Sequence, residues 1–150
     1  WLESNSLSST IPTQLGQLDQ MSYDFDLSTN SLFSAIPTQL GHLGQMSSGF
    51  RLNANSLSSM IPTQLGLLVQ LSSSFHLDSN LLCGDLPTEL ANLPGGFDRP
   101  ITEGNSIGSP CLPSSVVDDD GRDATQTGGM VWAVGGIAFT IMVLLLGVLV

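Results

Sequence analysis

Apolar and polar residues return along about the first 110 residues with a fixed step. An apolar residue precedes proline once every 25 residues, at Ile11, Ile36, Ile61 and Leu86. Asparagine keeps the same step, at Asn5, Asn30, Asn55, Asn80 and Asn105. A fixed period of this size is typical of a solenoid, in which each repeat is one coil that buries its apolar side against its neighbours.

Each coil also carries two apolar residues that are two positions apart: Phe25 with Leu27, Phe50 with Leu52, and Phe75 with Leu77. This alternation predicts a short strand with one buried face. Strands stacked from coil to coil at about 4.8 Å make a parallel sheet. The repeat therefore predicts one short parallel strand per coil.

The conserved spacing around the strand predicts how each coil turns. Asn30 follows Leu27 by three residues, where the chain leaves the strand, and its amide can donate and accept hydrogen bonds toward turn backbone. Repeated in every coil, these residues predict an internal asparagine ladder. Pro12 suits the first position of a short helical turn, and Gly16 is expected where the chain bends after it.

The motif LxxNxLxxxIPxxLGxL, which recurs in phase over residues 1–111, resembles the plant-type leucine-rich repeat of receptor-like kinases and receptor-like proteins. The resemblance implies an α/β solenoid, a right-handed coil with a parallel sheet on its concave face. Two features depart from the plant pattern. One extra residue falls between Met21 and Phe25, as in similar algal proteins, and serine replaces the glycine expected before Ile-Pro at Ser9, Ser34 and Ser59 but not at Gly84.

Changes in composition divide the chain into four parts. We assign residues 1–93 to the repeats, 94–111 to a C-terminal cap, 112–129 to a flexible acidic stalk and 130–150 to a transmembrane helix. Similar ectodomains often end in a cysteine-containing cap, and Cys83 and Cys111 lie near the same corner of adjacent coils. We expect a disulfide between them, with two reduced thiols as the alternative.

The last 21 residues carry no charge and span about 31 Å as a helix, close to the hydrocarbon core of a bilayer. A glycolipid-anchor signal, with attachment at Ser114 or Ser115, is the alternative. Trp1 aligns with Asp26 in mid-strand, so we expect a fragment of a longer chain. The predicted location is the plasma membrane, crossed once, with the repeats extracellular.

Solvent-facing strand residues differ from coil to coil and form two predicted columns on the concave face: Trp1, Asp26, Arg51, His76, and then Glu3, Ser28, Asn53, Asp78. Such a surface suits binding of an extracellular protein, peptide or glycan, or of a co-receptor. The leading interpretation is a receptor-like surface protein. The alternatives are a membrane-anchored structural or adhesive repeat protein without signalling, and the ectodomain fragment of a receptor-like kinase.

Charge and spacing argue against other classes of function. A net charge of -10, with three basic residues, disfavours nucleic acid binding. Ser74, His76 and Asp78 suggest a catalytic triad, but residues two apart on a strand lie about 7 Å apart, too far for a hydrogen-bonded relay. His42 and His76 fall on different coils, so no metal site is expected. We therefore expect a binding protein that is not an enzyme and has no cofactor.

Overall fold

The computed structural model describes residues 1–94 and 101–112, which belong to one compact unit, Trp1–Leu112. Within these residues each coil runs through a 3-10 helix and then short strands. The 3-10 helices are Thr13–Gln17, Thr38–His42, Thr63–Leu67 and Thr88–Asn92. The strands are β1 (Tyr23–Asp26), β2 (Phe33–Ser34), β3 (Ser48–Arg51), β4 (Ser56–Ser59), β5 (Ser73–His76), β6 (Leu81–Gly84) and β7 (Ser106–Ile107).

The first sheet has the order β1-β3-β5, and all its strands are parallel. Phe25 pairs with Phe50, and Phe50 with Phe75, so that successive rings stack with centroids 5.4 and 5.5 Å apart. These rings and the leucines two positions later are buried. The predicted parallel sheet, with its phenylalanine and leucine positions facing the core, is confirmed.

A second parallel sheet, with the order β2-β4-β6-β7, was not predicted. Its strands are two to four residues long, and residues such as Phe33 and Leu81 remain exposed. The pairing comes from backbone hydrogen bonds between coils, such as Ser56 N–H to Leu32 C=O at 2.8 Å. Stacking alone therefore creates this sheet, without an apolar alternation that would announce it.

The predicted helical turns are 3-10 helices, with two corrections to the roles of single residues. Pro12 is the residue before the first helix, with an extended ψ of 130°, and does not occupy the first helical position. Gly16 is buried, and a β-carbon there would collide with the backbone carbonyl of Gln39 in the next coil. Glycine is thus required for close approach of neighbouring coils and not for a bend.

The extra residue of each coil forms a local irregularity in the first sheet. Asp24, Gly49 and Ser74 occupy the same place in three coils, and their φ angles are 55°, 79° and 57°. Positive φ is uncommon for residues other than glycine. The strand register joins the residues on either side of this position, since Tyr23 pairs with Ser48 and Phe25 with Phe50. The additional residue is therefore absorbed as a bulge in every coil.

The C-terminal coil continues the stack through β7, which pairs with β6, and through Ile101, which is buried. Among the described residues, no helix is long and apolar enough to cross a membrane. The predicted membrane helix at 130–150 lies outside the described residues, as do most of the stalk and residues 95–100 of the cap.

Candidate functional site

The solvent side of the first sheet, which corresponds to the predicted concave face, brings Asp26, Arg51 and His76 into one row. Asp26 pairs in register with Arg51, and Arg51 with His76. The backbone N–H of Leu2 bonds to Asp26 C=O at 2.9 Å, so the first coil continues the stack, and Trp1 is 80% exposed. Arg51, with side-chain exposure of 29%, lies inside this surface and not at its edge.

Arg51 is held by two carboxylates on the preceding coil. Its Nη1 lies 3.2 Å from Asp26 Oδ2 and 3.3 Å from Asp24 Oδ1. Asp24 was not among the predicted site residues, because a regular strand would turn it away from Asp26. The extra residue per coil was the available signal, since the bulge places Asp24 beside Arg51. Glycine at position 49 leaves room for this contact, because a β-carbon there would lie 2.5 Å from Asp24 Oδ1.

Asp26 is the carboxylate with the stronger support. Burial alone would raise its pKa, but hydrogen bonds from the Ser28 hydroxyl and the Ser28 backbone N–H, together with Arg51, hold the pKa below the ordinary value of 3.8. The Ser28 hydroxyl donates to Asp26 Oδ1 at 2.6 Å and the Ser28 amide at 3.0 Å. Asp26 is therefore charged at neutral pH, and Arg51 is neutralised within the protein.

The second predicted column lies beside the first and is more deeply buried. Backbone bonds link its members from coil to coil, as in Thr29 N–H to Asn53 C=O and Ala54 N–H to Asp78 C=O. Ser28 and Asp78 are 8% and 7% exposed. The buried Oδ1 atoms of Asn53 and Asp78 have no hydrogen-bond donor within the described part of the chain. Ser79 N–H bonds to Glu103 C=O, which adds Glu103 to the same column.

The repeated asparagines lie three residues beyond the buried leucines and bond to backbone in two coils. Asn55 Nδ2 donates to Leu27 C=O of the preceding coil at 3.0 Å and to Leu52 C=O of its own coil at 3.1 Å. Asn55 Oδ1 accepts from the N–H of Leu32 at 3.0 Å. Asn30, Asn80 and Asn105 repeat this arrangement, and Asn5 bonds to carbonyls of its own coil.

A second hydrogen-bond ladder was missed in the sequence. The Ser47 hydroxyl donates to Ser22 C=O, and the Ser72 hydroxyl donates to Ser47 C=O, both at 3.0 Å. The three serines are 25 residues apart, so the period carried the signal, but serine is so common in this chain that the column did not stand out.

Cys83 and Cys111 form a disulfide, with their Cα atoms 5.1 Å apart. Cys83 lies in β6 and Cys111 at the end of the described chain, so the bridge ties the final coil to the last strand of the repeats. The predicted disulfide is confirmed.

The remaining candidate side chains do not assemble a reaction centre on this face. Ser74 occupies the bulge with φ of 57°, so the regular alternation needed to align it with His76 and Asp78 does not extend to it. Within residues 1–94 and 101–112, no three histidine, cysteine, aspartate or glutamate side chains are grouped as metal ligands. His42 lies in a 3-10 helix and His76 in β5, in different parts of their coils.

The outer surface at the 3-10 helices differs from the concave face because it is nearly the same in every coil. Threonine begins each helix, at Thr13, Thr38, Thr63 and Thr88, and every one of them is exposed. Each hydroxyl lies 3.4 to 3.5 Å from the side-chain oxygen of the following glutamine or glutamate. An open groove of about 590 Å³ beside this row is lined by Met60, Leu86 and three of the threonines.

Comparison with known proteins places this fold. No protein-family model matches the chain, and a search of curated proteins finds no match. Among solved structures, the BIR3–SERK2 complex from Arabidopsis thaliana matches with 33% identity and a TM-score of 0.57, over 72% of this chain and 55% of that chain. The BIR2 ectodomain from Arabidopsis thaliana matches with 31% identity and a TM-score of 0.59, over 73% of this chain and 56% of that one.

A plant ice-binding protein also matches, with 27% identity and a TM-score of 0.60, over 71% of this chain and 34% of that chain. The chain spans little more than half the length of the two Arabidopsis structures it matches. The neighbours and the parallel sheets agree on the architecture. The described part of this chain has the leucine-rich repeat fold seen in plant receptor ectodomains.

Proposed function

We propose that this chain is part of a single-pass, receptor-like cell-surface protein that binds an extracellular peptide or protein through its concave face. The observation that carries the proposal is the contrast between a repeated frame and non-repeated concave columns. Asp26, Arg51 and His76 are in register on three coils whose core residues are the same. A surface of this kind presents a different side chain at each step of about 4.8 Å.

The neighbours support a binding role for this surface. One matched structure is the complex of BIR3 with SERK2, and another is a plant peptide hormone receptor, RGFR1, in complex with RGF2. These printed partners belong to those proteins. For this chain they favour a protein or peptide ligand over a catalytic activity.

Anchoring by residues 130–150 is supported by their sequence, which has 21 residues without a charge. We expect phosphatidylinositol-specific phospholipase to leave the repeats on intact cells, and detergent to release them. Release by the phospholipase would show a glycolipid anchor in place of a retained helix.

The binding role is tested with a displayed random-peptide library captured by the full chain in detergent micelles. The double variant Asp26→Ala/Arg51→Ala keeps the net charge constant and removes the central ion pair. We expect captured peptides to bind it at least about tenfold more weakly, as when a central interface residue is truncated. The matched variant Gln39→Ala/Gln64→Ala, on the outer surface, should bind as the unchanged chain does. Equal binding by all three proteins would show that the concave face is not the site.

A second candidate function rests on the repeated outer surface. Exposed threonines recur at the same place in four described coils, and one of the matched structures is a plant ice-binding protein. A regular hydroxyl row of this kind is the feature that would favour ice binding here. Inhibition of ice recrystallisation by the full chain, lost in Thr38→Lys/Thr63→Lys and retained in Asp26→Ala/Arg51→Ala, would support this function. No inhibition by the unchanged chain would rule it out.

A further inference from the structure

The second column of the concave face carries acceptors and no basic side chain. We name it the acceptor column; its residues are Glu3, Ser28, Asn53, Asp78 and Glu103. Backbone hydrogen bonds between successive coils fix their order. Three of the five are carboxylates, and neighbouring coils lie about 4.8 Å apart. Asp78 and Glu103 therefore face the same stretch of any ligand that runs along the stack.

Two atoms in the middle of this column lack the partners that their burial requires. Asp78 is 7% exposed, and its Oδ1 has no donor among the described residues; the same holds for the buried Oδ1 of Asn53. A buried acceptor without a hydrogen bond costs about 1 to 3 kcal/mol, and a charged one costs more. Native proteins rarely leave such atoms unsatisfied, so each one needs an explanation.

The frame of the protein does not require these two side chains. Asn55, two residues after Asn53, supplies the turn with its hydrogen bonds, and Asn80 does the same after Asp78. The equivalent position holds serine in one coil and glutamate in two others. Asn53 and Asp78 are therefore free to serve something other than the fold.

The basic side chain nearest to this column in the register is not available to it. Arg51 is two residues from Asn53, but its Nη1 bonds to Asp24 and Asp26. An ammonium or guanidinium group from outside would supply several N–H donors and a positive charge. Two oxygens are too few for Ca²⁺, which takes six to eight oxygen ligands.

We propose that the ligand of the concave face is a basic, extended peptide segment, one lysine or arginine of which is bound by Asn53 Oδ1 and Asp78 Oδ1. This rests on the proposed function and specifies its ligand class. A second basic residue of the segment faces Glu103 on the next coil, about 5 Å along the stack. Asp24 and Asp26 use one arginine between them, so their excess charge adds to the attraction.

The test uses an acetylated, amidated peptide of alternating lysine and serine, and its counterpart in which glutamate replaces lysine. Binding to the full chain in zwitterionic detergent is measured by fluorescence anisotropy at low and at physiological salt. We expect the lysine peptide to bind and the glutamate peptide not to bind. Asp78→Asn should weaken binding about tenfold, because the contact loses its charge.

Asp19→Asn is the matched control, since it removes the same charge from an exposed loop residue. It should change the affinity less than about twofold, because exposed charges are screened. Equal weakening by Asp19→Asn and Asp78→Asn would show attraction to the overall negative charge and would overturn the proposal. Asn53→Asp keeps an acceptor and adds a charge, so it should tighten binding several-fold; weaker binding would show that the Asn53 amide is needed inside the protein.

Failure of this inference is distinguishable from failure of the proposed function. Library peptides that lose affinity for Asp26→Ala/Arg51→Ala but are neutral or acidic, and bind Asp78→Asn normally, would overturn the basic-ligand proposal and leave the binding role intact. Thermal melting shows whether each variant is folded. Asp78→Asn removes a buried charge, so its melting temperature should not fall.

Discussion

Asn53 and Asn55 are the same residue type two positions apart, and they belong to regions that obey different rules. Asn55 bonds to backbone groups of two coils, and asparagine recurs at its position in every coil from Asn5 to Asn105. Asn53 makes no such bond through its buried oxygen, and its position holds serine, aspartate or glutamate elsewhere. A position repeats where the backbone of the stack imposes a chemical demand, and it varies where the backbone imposes none.

The comparison extends to the whole unit. The asparagine ladder, the stacked phenylalanines and the buried glycines of the 3-10 helices touch the next coil and are the same in successive coils. The concave columns touch solvent and one another, and they differ. The variation is thus confined to the surface that a ligand can reach, which is why that surface carries the proposed function.

The largest expected effect separates Asn55 from Asn53 directly. Asn55→Ala removes bonds to Leu27 C=O, Leu52 C=O and Leu32 N–H, so we expect the free energy of unfolding to fall by about 3 kcal/mol. Asn53→Ala should change it by less than about 0.5 kcal/mol, as for a residue outside the frame. Denaturant unfolding of both variants measures this difference. Equal losses would remove the distinction between frame and concave face.

Sequence patterns predicted the parts of the fold that obey this repeated demand. The positions of Phe25 and Leu27 predicted the first sheet, because an alternating pair with a fixed period leaves one arrangement for its apolar side. The second sheet escaped prediction because Phe33 and Ser34 are exposed, and only backbone bonds to the next coil make them a strand. Burial writes a pattern into the sequence, whereas backbone pairing of exposed residues does not.

The candidate site was only partly predictable for a related reason. The columns through Asp26 and Asn53 follow from the period, which needs counting alone. The ion pair of Asp24 with Arg51 depends on the bulge, because a regular strand would turn Asp24 away. The buried oxygens of Asn53 and Asp78 depend on how deeply the second column lies, and a sequence period does not report depth.

The next effect tests whether the outer turn is repeated because the coils touch there. Gly41→Ala puts a β-carbon against the backbone of Gln64, so we expect a loss of about 1 to 3 kcal/mol on unfolding. Gly44→Ala is the control in the same turn, since a β-carbon there meets only His42 O, at 4.0 Å. The natural chain has alanine at the equivalent position of the last helix, where Ala91 is exposed. Chemical denaturation that ranks the two variants equally would contradict the close-approach argument.

A smaller effect of opposite sign is expected where serine replaces glycine. Ser59 has φ of 73° and the equivalent Gly84 has φ of 76°, so the backbone requires the left-handed region whichever residue is present. A residue with a β-carbon is disfavoured there by about 1 to 2 kcal/mol, part of which glycine loses again through its freer unfolded chain. Ser59→Gly should therefore raise stability by about 0.5 to 1 kcal/mol, visible as a higher melting temperature. Ser56→Gly, in the same strand but without positive φ, should lower it.

The smallest effect concerns charge on the concave face. The pKa of Asp26 is held below 3.8 in the folded chain, so its ionised form stabilises the fold at pH values above the unfolded pKa, and this contribution is lost as the pH falls through the folded pKa. Stability measured by urea unfolding should therefore decline as the pH is lowered from about 4.5 to about 2.5. Asp26→Asn should flatten that decline, whereas Asp19→Asn, which changes an exposed carboxylate, should leave it in place. An identical pH profile for the unchanged chain and Asp26→Asn would show that the Ser28 and Arg51 contacts do not hold this carboxylate in solution. The concave face would then lack the preformed ion pair that leaves its second column without a basic partner.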